Sequence, residues 1–315
     1  MTQKNPLKAW SLLIALSLIW GSSFILIKKG LLGLDPMEVG AIRILSAALF
    51  MLPFALRNFS RVKRHHVKPL ISIGFLGSLI PAFLFAIAQT RLESSITGVM
   101  NALTPIFTIL VGLVIYKHKQ SPQVFVGVVV GFIGTAILIF AGSGGSLANF
   151  NFYAFFVVLA TVMYALNLNI IKHHLQDLKA VTITSVSLAF VGPIAAIQLF
   201  GFTDYASKLV NVEGTVLATS YILVLGVVGT AIALLIFNRL VNLTDPVFTS
   251  SVTYIIPVIA ICWGLIDGEV LLAMHVVGIL AILTGVYIAN ASKRVAIKKR
   301  LSQKVRVILN LFQNL

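Results

Sequence analysis

Charge is scarce in this chain. Only 10% of its 315 residues are Asp, Glu, Lys or Arg, against about 25% in soluble domains, so a water-soluble globule is excluded. Cysteine is scarcer still. The single Cys262 lies inside an apolar run, and no disulfide framework can form within the chain. There is no Gly-rich phosphate loop, dinucleotide fingerprint or metal-ligand spacing. Of the six histidines only His275 enters an apolar run, near its end, while His65–His66 and His173–His174 stand among basic residues, where a solvated role is expected. No nucleophile with an adjacent base can be drawn, so no enzyme, cofactor or metal centre is expected.

What is present is apolar. Hydrophobic residues make up 58% of the chain and the mean hydropathy is +1.01. A bilayer-spanning helix needs about 20 apolar residues. Runs of that kind fall near residues 8–28, 37–56, 68–90, 94–116 and 121–141, and again near 151–172, 180–200, 213–238, 246–266 and 270–291. The first run lacks a small-residue cleavage site and reads as a retained span. The expected fold is an all-α polytopic membrane protein with ten spanning helices: a five-helix half over 1–141, a linker over 142–150, a second half over 151–291 and a basic tail over 292–315.

Charge placement sets the expected orientation. The +15 net charge would suggest nucleic acid in a soluble protein; here the basic residues flank apolar runs, where they hold loops in the cytoplasm. The lipid bilayer, and no nucleic acid, is the expected partner. With both termini inside, the only basic residues outside are Lys28, Lys29, Arg91 and Lys208, while Arg43 sits within a span. Of nine acidic residues only Asp177 and Asp245 then fall inside.

The two halves resemble each other. An offset of 152 carries Gly74, Gly77, Phe85, Pro105 and Gly112 onto Gly226, Gly229, Phe237, Pro257 and Gly264. An offset of 151 carries Gly127 and Gly134 onto Gly278 and Gly285, and one of 144 carries Trp20, Ser23 and Lys28 onto Tyr164, Asn167 and Lys172. Since each half has five helices, the second enters the membrane upside down, which is the inverted repeat of secondary carriers.

Polar residues inside the runs are the candidate binding groups. Trp20 and Ser23 share one helical face, as do their counterparts Tyr164 and Asn167. Thr97, Asn101 and Thr104 line one face of the fourth run, with Thr249 and Thr253 in the ninth. Hydroxyls can also be satisfied by their own helix backbone, and both readings stand at this point. Pro105 and Pro257 are matched candidate hinges. Arg43 would cost about 2.5 to 3.5 kcal/mol at a helix centre; counting from Pro36 it lies about 10 Å below the outer edge, within reach of Glu38, although it can also grip a substrate carboxylate. No acidic residue occupies the middle of a run, so facilitated or exchange transport is expected rather than tight proton coupling.

LIWGSSFILIKKG at 18–30, Arg43 after Pro36, ESSITGVMNALTPIFTILVGLVIYKHK at 93–119 and TDPVFTSSVTYIIPVIAICWGLIDGE at 244–269 resemble the EamA-type branch of the drug/metabolite transporter superfamily. The resemblance runs to about Ser292. It implies cytoplasmic termini, a cavity between the halves, and export of a small-molecule substrate, amino acids or related amphiphilic solutes, across the inner membrane by alternating access. Broad-specificity drug efflux and a non-transporting scaffold or sensor are the alternatives. One departure is Lys117-His118-Lys119, where the family often has glutamate; Gly268 and Glu269 keep the pattern in the second half.

Overall fold

A computed structural model describes residues 6–117, 122–142, 151–243 and 252–289, and among these the chain is helical throughout. Eight helices are long and apolar enough to cross a bilayer: α1 (Ala9–Gly30), α2 (Pro36–Arg61), α3 (Arg64–Ala88), α4 (Ser94–Val114), α5 (Pro122–Ala141), α6 (Ala154–His174), α7 (Ala180–Gly201) and α8 (Thr215–Phe237). Two shorter apolar helices follow, α9 (Val252–Ile266) and α10 (Ala273–Ala289). Each of the ten sequence runs thus holds a helix. The eight spans are the number that length and composition establish, and α9 begins directly after undescribed residues.

Helix starts are built from residues the hydropathy pattern does not single out. At α2, Glu38 reaches back to accept from the Asp35 N–H at 2.8 Å behind Pro36, a reciprocal cap. His66 does the same for the Lys63 N–H at α3 (3.1 Å), and His275 for the Leu272 N–H at α10 (3.1 Å). His66 corrects the expectation of a solvated histidine: it is fully buried, and its Nε2 meets Asp177 at 2.9 Å. The partner stands 111 residues away, which no local pattern reveals.

Helices related by the sequence offsets pack against one another, and they do so antiparallel. Along α2 and α7, Ala48 lies at Gly192 and Asn58 at Thr182. Along α4 and α9, Gly98 faces Ala260 and Ser95 faces Gly264. Along α5 and α10, Gly127 abuts the Gly285 carbonyl and Ala289, and Gly134 abuts Gly278 and Ile282, so the two backbones touch. The remaining contacts also come in related pairs: α1 on α9 mirrors α6 on α4, and α1 on α8 mirrors α6 on α3.

Connections gather at two ends of opposite charge. One end joins Lys28 to Asp267 and Glu269, and Lys208 to Asp35 and Glu38. The other joins His66 to Asp177 and stacks Tyr116 on His173. The first is the acidic end below, the second the basic end.

Candidate functional site

Two helices lose their α-helical register at related places. In α3, Phe75–Leu79 is π-helical, and in α8, Leu225–Ile232; the offset of 152 overlays them. A π turn frees backbone groups and often marks a working site. Here the freed space is filled from α1 and α6. The Trp20 indole N–H donates to the Gly229 carbonyl at 3.1 Å, and Ser23 packs beside Gly229. In the related position Asn167 packs on Gly77, so closely that a Cβ there would stand 2.5 Å from Asn167 Oδ1. The glycines recognised as repeat markers are therefore seats for the polar residues of the opposite half.

Arg43 belongs to the same site. Its Nε donates to Thr230 Oγ1 at 3.2 Å, past the midpoint of α8, and its charge acts on the nearby Tyr164 hydroxyl. The expected pairing with Glu38 is not made, because that carboxylate is taken by the Asp35 N–H and by Lys208 at 3.1 Å. Two aromatic pairs flank the group: Trp20 with Phe237 (centroids 5.5 Å) and Tyr164 stacked on Phe85 (5.9 Å). Sequence reasoning missed Thr230, Phe85 and Phe237 as site residues. The signal was available in the offset of 152, which relates Phe85 to Phe237 and Ser78 to Thr230.

The fourth-helix candidates are placed differently. Thr97 is fully buried and its hydroxyl donates to its own helix at Glu93 O (2.9 Å). Thr104 donates to the Asn101 carbonyl (2.8 Å), which Pro105 cannot reach because it has no N–H; a 3₁₀ segment, Asn101–Leu103, precedes Pro105 at that point. The Asn101 side chain is half-buried and meets Thr104 at 3.5 Å. In α9 the helix runs unbroken through Pro257, so the two candidate hinges differ in form. Thr249 lies outside the described residues, as does the side chain of Thr253. Asn169, not anticipated, ties α6 to α4 by donating to the Thr108 carbonyl at 3.1 Å.

One buried carboxylate gathers the contacts at the acidic end. Glu269, 7% exposed, accepts from Lys28 Nζ (2.8 Å), the Ser94 N–H (2.9 Å), the Ser94 hydroxyl (2.7 Å) and the Ser95 N–H (3.0 Å). It thereby caps α4 and anchors α1 to the α9–α10 connection; Asp267 adds bonds to Lys28 and Lys29. Gly268 enables the turn with φ +83, and Lys117, its counterpart at offset 151, also has positive φ, at 52. Burial pushes the Glu269 carboxyl up, but Lys28, Ser95 and Ser94 outweigh it and hold the group at about 2 instead of 4.5. Glu93 beside it is pushed the other way, by burial and by the charge of Glu269. A carboxyl lowered by folding stabilises fully above its unfolded value and loses that contribution as pH falls through the folded one. The closure at this end is therefore expected to be unchanged from pH 8 to about 5 and to loosen progressively below about 4.5, read as labelling of a cysteine placed at Ser95 by a membrane-impermeant thiol reagent. A cavity of about 370 Å³ opens beside this end, lined by Arg91, Glu93, Met100, Asn151 and His275 among others, away from Trp20 and Arg43.

Comparison with known proteins bears on the chain as a whole. The model of the EamA-like transporter family matches residues 7–140 and again 151–291. The "Uncharacterized inner membrane transporter YedA" of Escherichia coli K12 is 24% identical over 276 residues, covering 86% of this chain and 87% of that protein. The "Probable amino-acid metabolite efflux pump" of Salmonella typhimurium is 22% identical over 296 residues, covering 90% and 95%. A crystal structure with 14% identity superimposes with a TM-score of 0.61 over 90% of this chain and 97% of its own, a likeness of fold.

Proposed function

The chain belongs to the EamA-like transporter family, and on that premise we propose that it is an inner-membrane secondary transporter exporting small metabolites, most readily amino acids or related amphiphilic solutes, by alternating access. It is a membrane transporter and not an enzyme. The observation that carries the finer reading is the convergence of Trp20 and Arg43 on one π segment and of Asn167 on its counterpart. Polar side chains from both halves thus meet where two helices are locally unwound, the arrangement a midplane carrier site uses.

We further propose ten spans in two inverted five-helix repeats, 1–141 and 151–291, joined by the linker 142–150, with both termini and the 292–315 tail in the cytoplasm. The double match of the family model supports the repeat. The antiparallel pairing of α2 with α7, α4 with α9 and α5 with α10 supports its inversion, since halves of the same orientation would pair those helices parallel. The basic end, rich in Arg57, Arg61, Lys63, Arg64 and Lys68, is the cytoplasmic one on charge grounds. The acidic end then faces outward. Amino-acid cargo has the Salmonella relative's name in its favour.

The test is counterflow in liposomes with a panel of labelled amino acids, nucleosides and sugars, with and without a pH gradient. Saturable exchange of an amino acid, indifferent to the gradient, is expected. Trp20→Phe removes the hydrogen bond to Gly229 together with part of the ring that packs on Phe237; the bond alone is worth about 1 kcal/mol, so apparent affinity is expected to fall at least about fivefold. Unaltered flux in that variant would take Trp20 out of the site.

A further inference from the structure

The repeat is close to symmetric in its backbone here, and one of the side chains in which its halves differ carries a charge. A methyl group on Gly226 would stand 2.6 Å from the Arg43 carbonyl oxygen, and one on Gly74 would stand 2.7 Å from the Ser187 carbonyl oxygen. The offset of 144 that carries Trp20 onto Tyr164 also carries Arg43 onto Ser187. The two helices therefore pack alike, yet one brings a fixed cation to the site and the other a hydroxyl.

That cation is positioned without being neutralised. Thr230 is a neutral acceptor, and among the described residues no carboxylate lies within 4 Å of the guanidinium. At the acidic end, by contrast, Lys28 is paired with Asp267 and Glu269, and Lys208 with Asp35 and Glu38. A guanidinium has five donors in a planar fork. With Nε on Thr230, the donors of its outer edge fit the two oxygens of a carboxylate. The flanking pairs Trp20–Phe237 and Tyr164–Phe85 offer ring surface for an uncharged body.

We propose that Arg43 is the specificity-determining residue of the site and that the cargo is an amphiphilic carboxylate, held by its carboxylate on Arg43 with its apolar body between the aromatic pairs. This rests on the transporter reading above. A single guanidinium suits one carboxylate and leaves a polyphosphate short of cations, and it repels organic cations.

The test uses the full chain in liposomes, with labelled phenylalanine as the probe. 3-Phenylpropionate, which keeps the carboxylate and lacks the amine, is expected to compete with phenylalanine. Phenethylamine, which keeps the amine and lacks the carboxylate, is not. Arg43→Gln is expected to raise the half-saturating concentration for phenylalanine about 100-fold, the scale of losing a hydrogen-bonded charge pair, and Arg43→Lys to recover part of it. Competition by phenethylamine equal to that of 3-phenylpropionate would overturn the proposal, and this arm needs only the wild-type protein. Saturable exchange of nucleosides or sugars with phenylalanine excluded would overturn it too, while leaving the transporter reading standing. Absence of flux for every solute would remove both.

Discussion

Replacing Glu269 with alanine is expected to cost about 3 to 5 kcal/mol, the range for breaking a buried charge pair on one side. The change leaves Lys28, the Ser94 N–H and the Ser95 N–H without the acceptor that now serves all three. Asp267 still meets Lys28 at 2.8 Å, which places the loss toward the lower bound. The variant should melt earlier in detergent, and a cysteine at Ser95 should become reactive toward an impermeant thiol reagent at neutral pH. Glu269→Gln separates charge from geometry, because its amide oxygen still accepts from the α4 N-terminus. It should recover most of the melting temperature and only part of the closure, since Lys28 keeps Asp267 as its one remaining counter-charge. Wild-type protection at Ser95 in both variants would show that something other than this carboxylate holds the acidic end.

Gly226→Ala is the second large effect. A methyl group there overlaps Ser46 Oγ and stands 2.6 Å from the Arg43 carbonyl oxygen, and a backbone atom cannot turn away as a side chain can. Overpacking of this kind costs about 1 to 3 kcal/mol, and relief requires α2 and α8 to move apart. Because Arg43 Nε bonds Thr230 one turn along, the same movement displaces the guanidinium. Transport should therefore fall further than stability does. Gly74→Ala meets the Ser187 carbonyl in the related place and should cost similar stability while sparing Arg43. Equal transport in the two variants would argue against the asymmetry assigned to Arg43.

Much of the fold was legible because lipid imposes one rule, that an apolar run of bilayer length must be helical. Each expected run holds a helix, and of the glycines matched between the halves Gly74, Gly127, Gly134, Gly226, Gly278 and Gly285 lie against a neighbouring backbone. The site was legible only in part. Trp20, Tyr164 and Asn167 follow from a polar face in an apolar run. The π segments do not, since a register shift leaves no period in a stretch such as Leu225–Ile232 that is apolar on nearly every side. Arg43 had two readings in sequence, pairing with Glu38 or gripping a substrate carboxylate; it turns toward α8, and Glu38 is met instead by Lys208, 170 residues away. Glu269 looked like a retained family residue; its partner Lys28 is 241 residues distant, and only the folded packing of α1 against α9 brings them together. Thr97 and Thr104 had two readings in sequence, and their hydroxyls are found on their own helix backbone.

The central claim is that solute passes through the site shared by Trp20, Arg43, Tyr164 and Asn167. The direct measurement is counterflow of a labelled amino acid into liposomes containing the purified chain, with Asn167→Leu run in parallel at matched folding. The account predicts saturable exchange in the wild type and its loss in the variant, because leucine on α6 would fill the space over Gly77 without replacing the amide. Exchange that is undiminished in Asn167→Leu, or absent from the wild type for every solute tried, would contradict it.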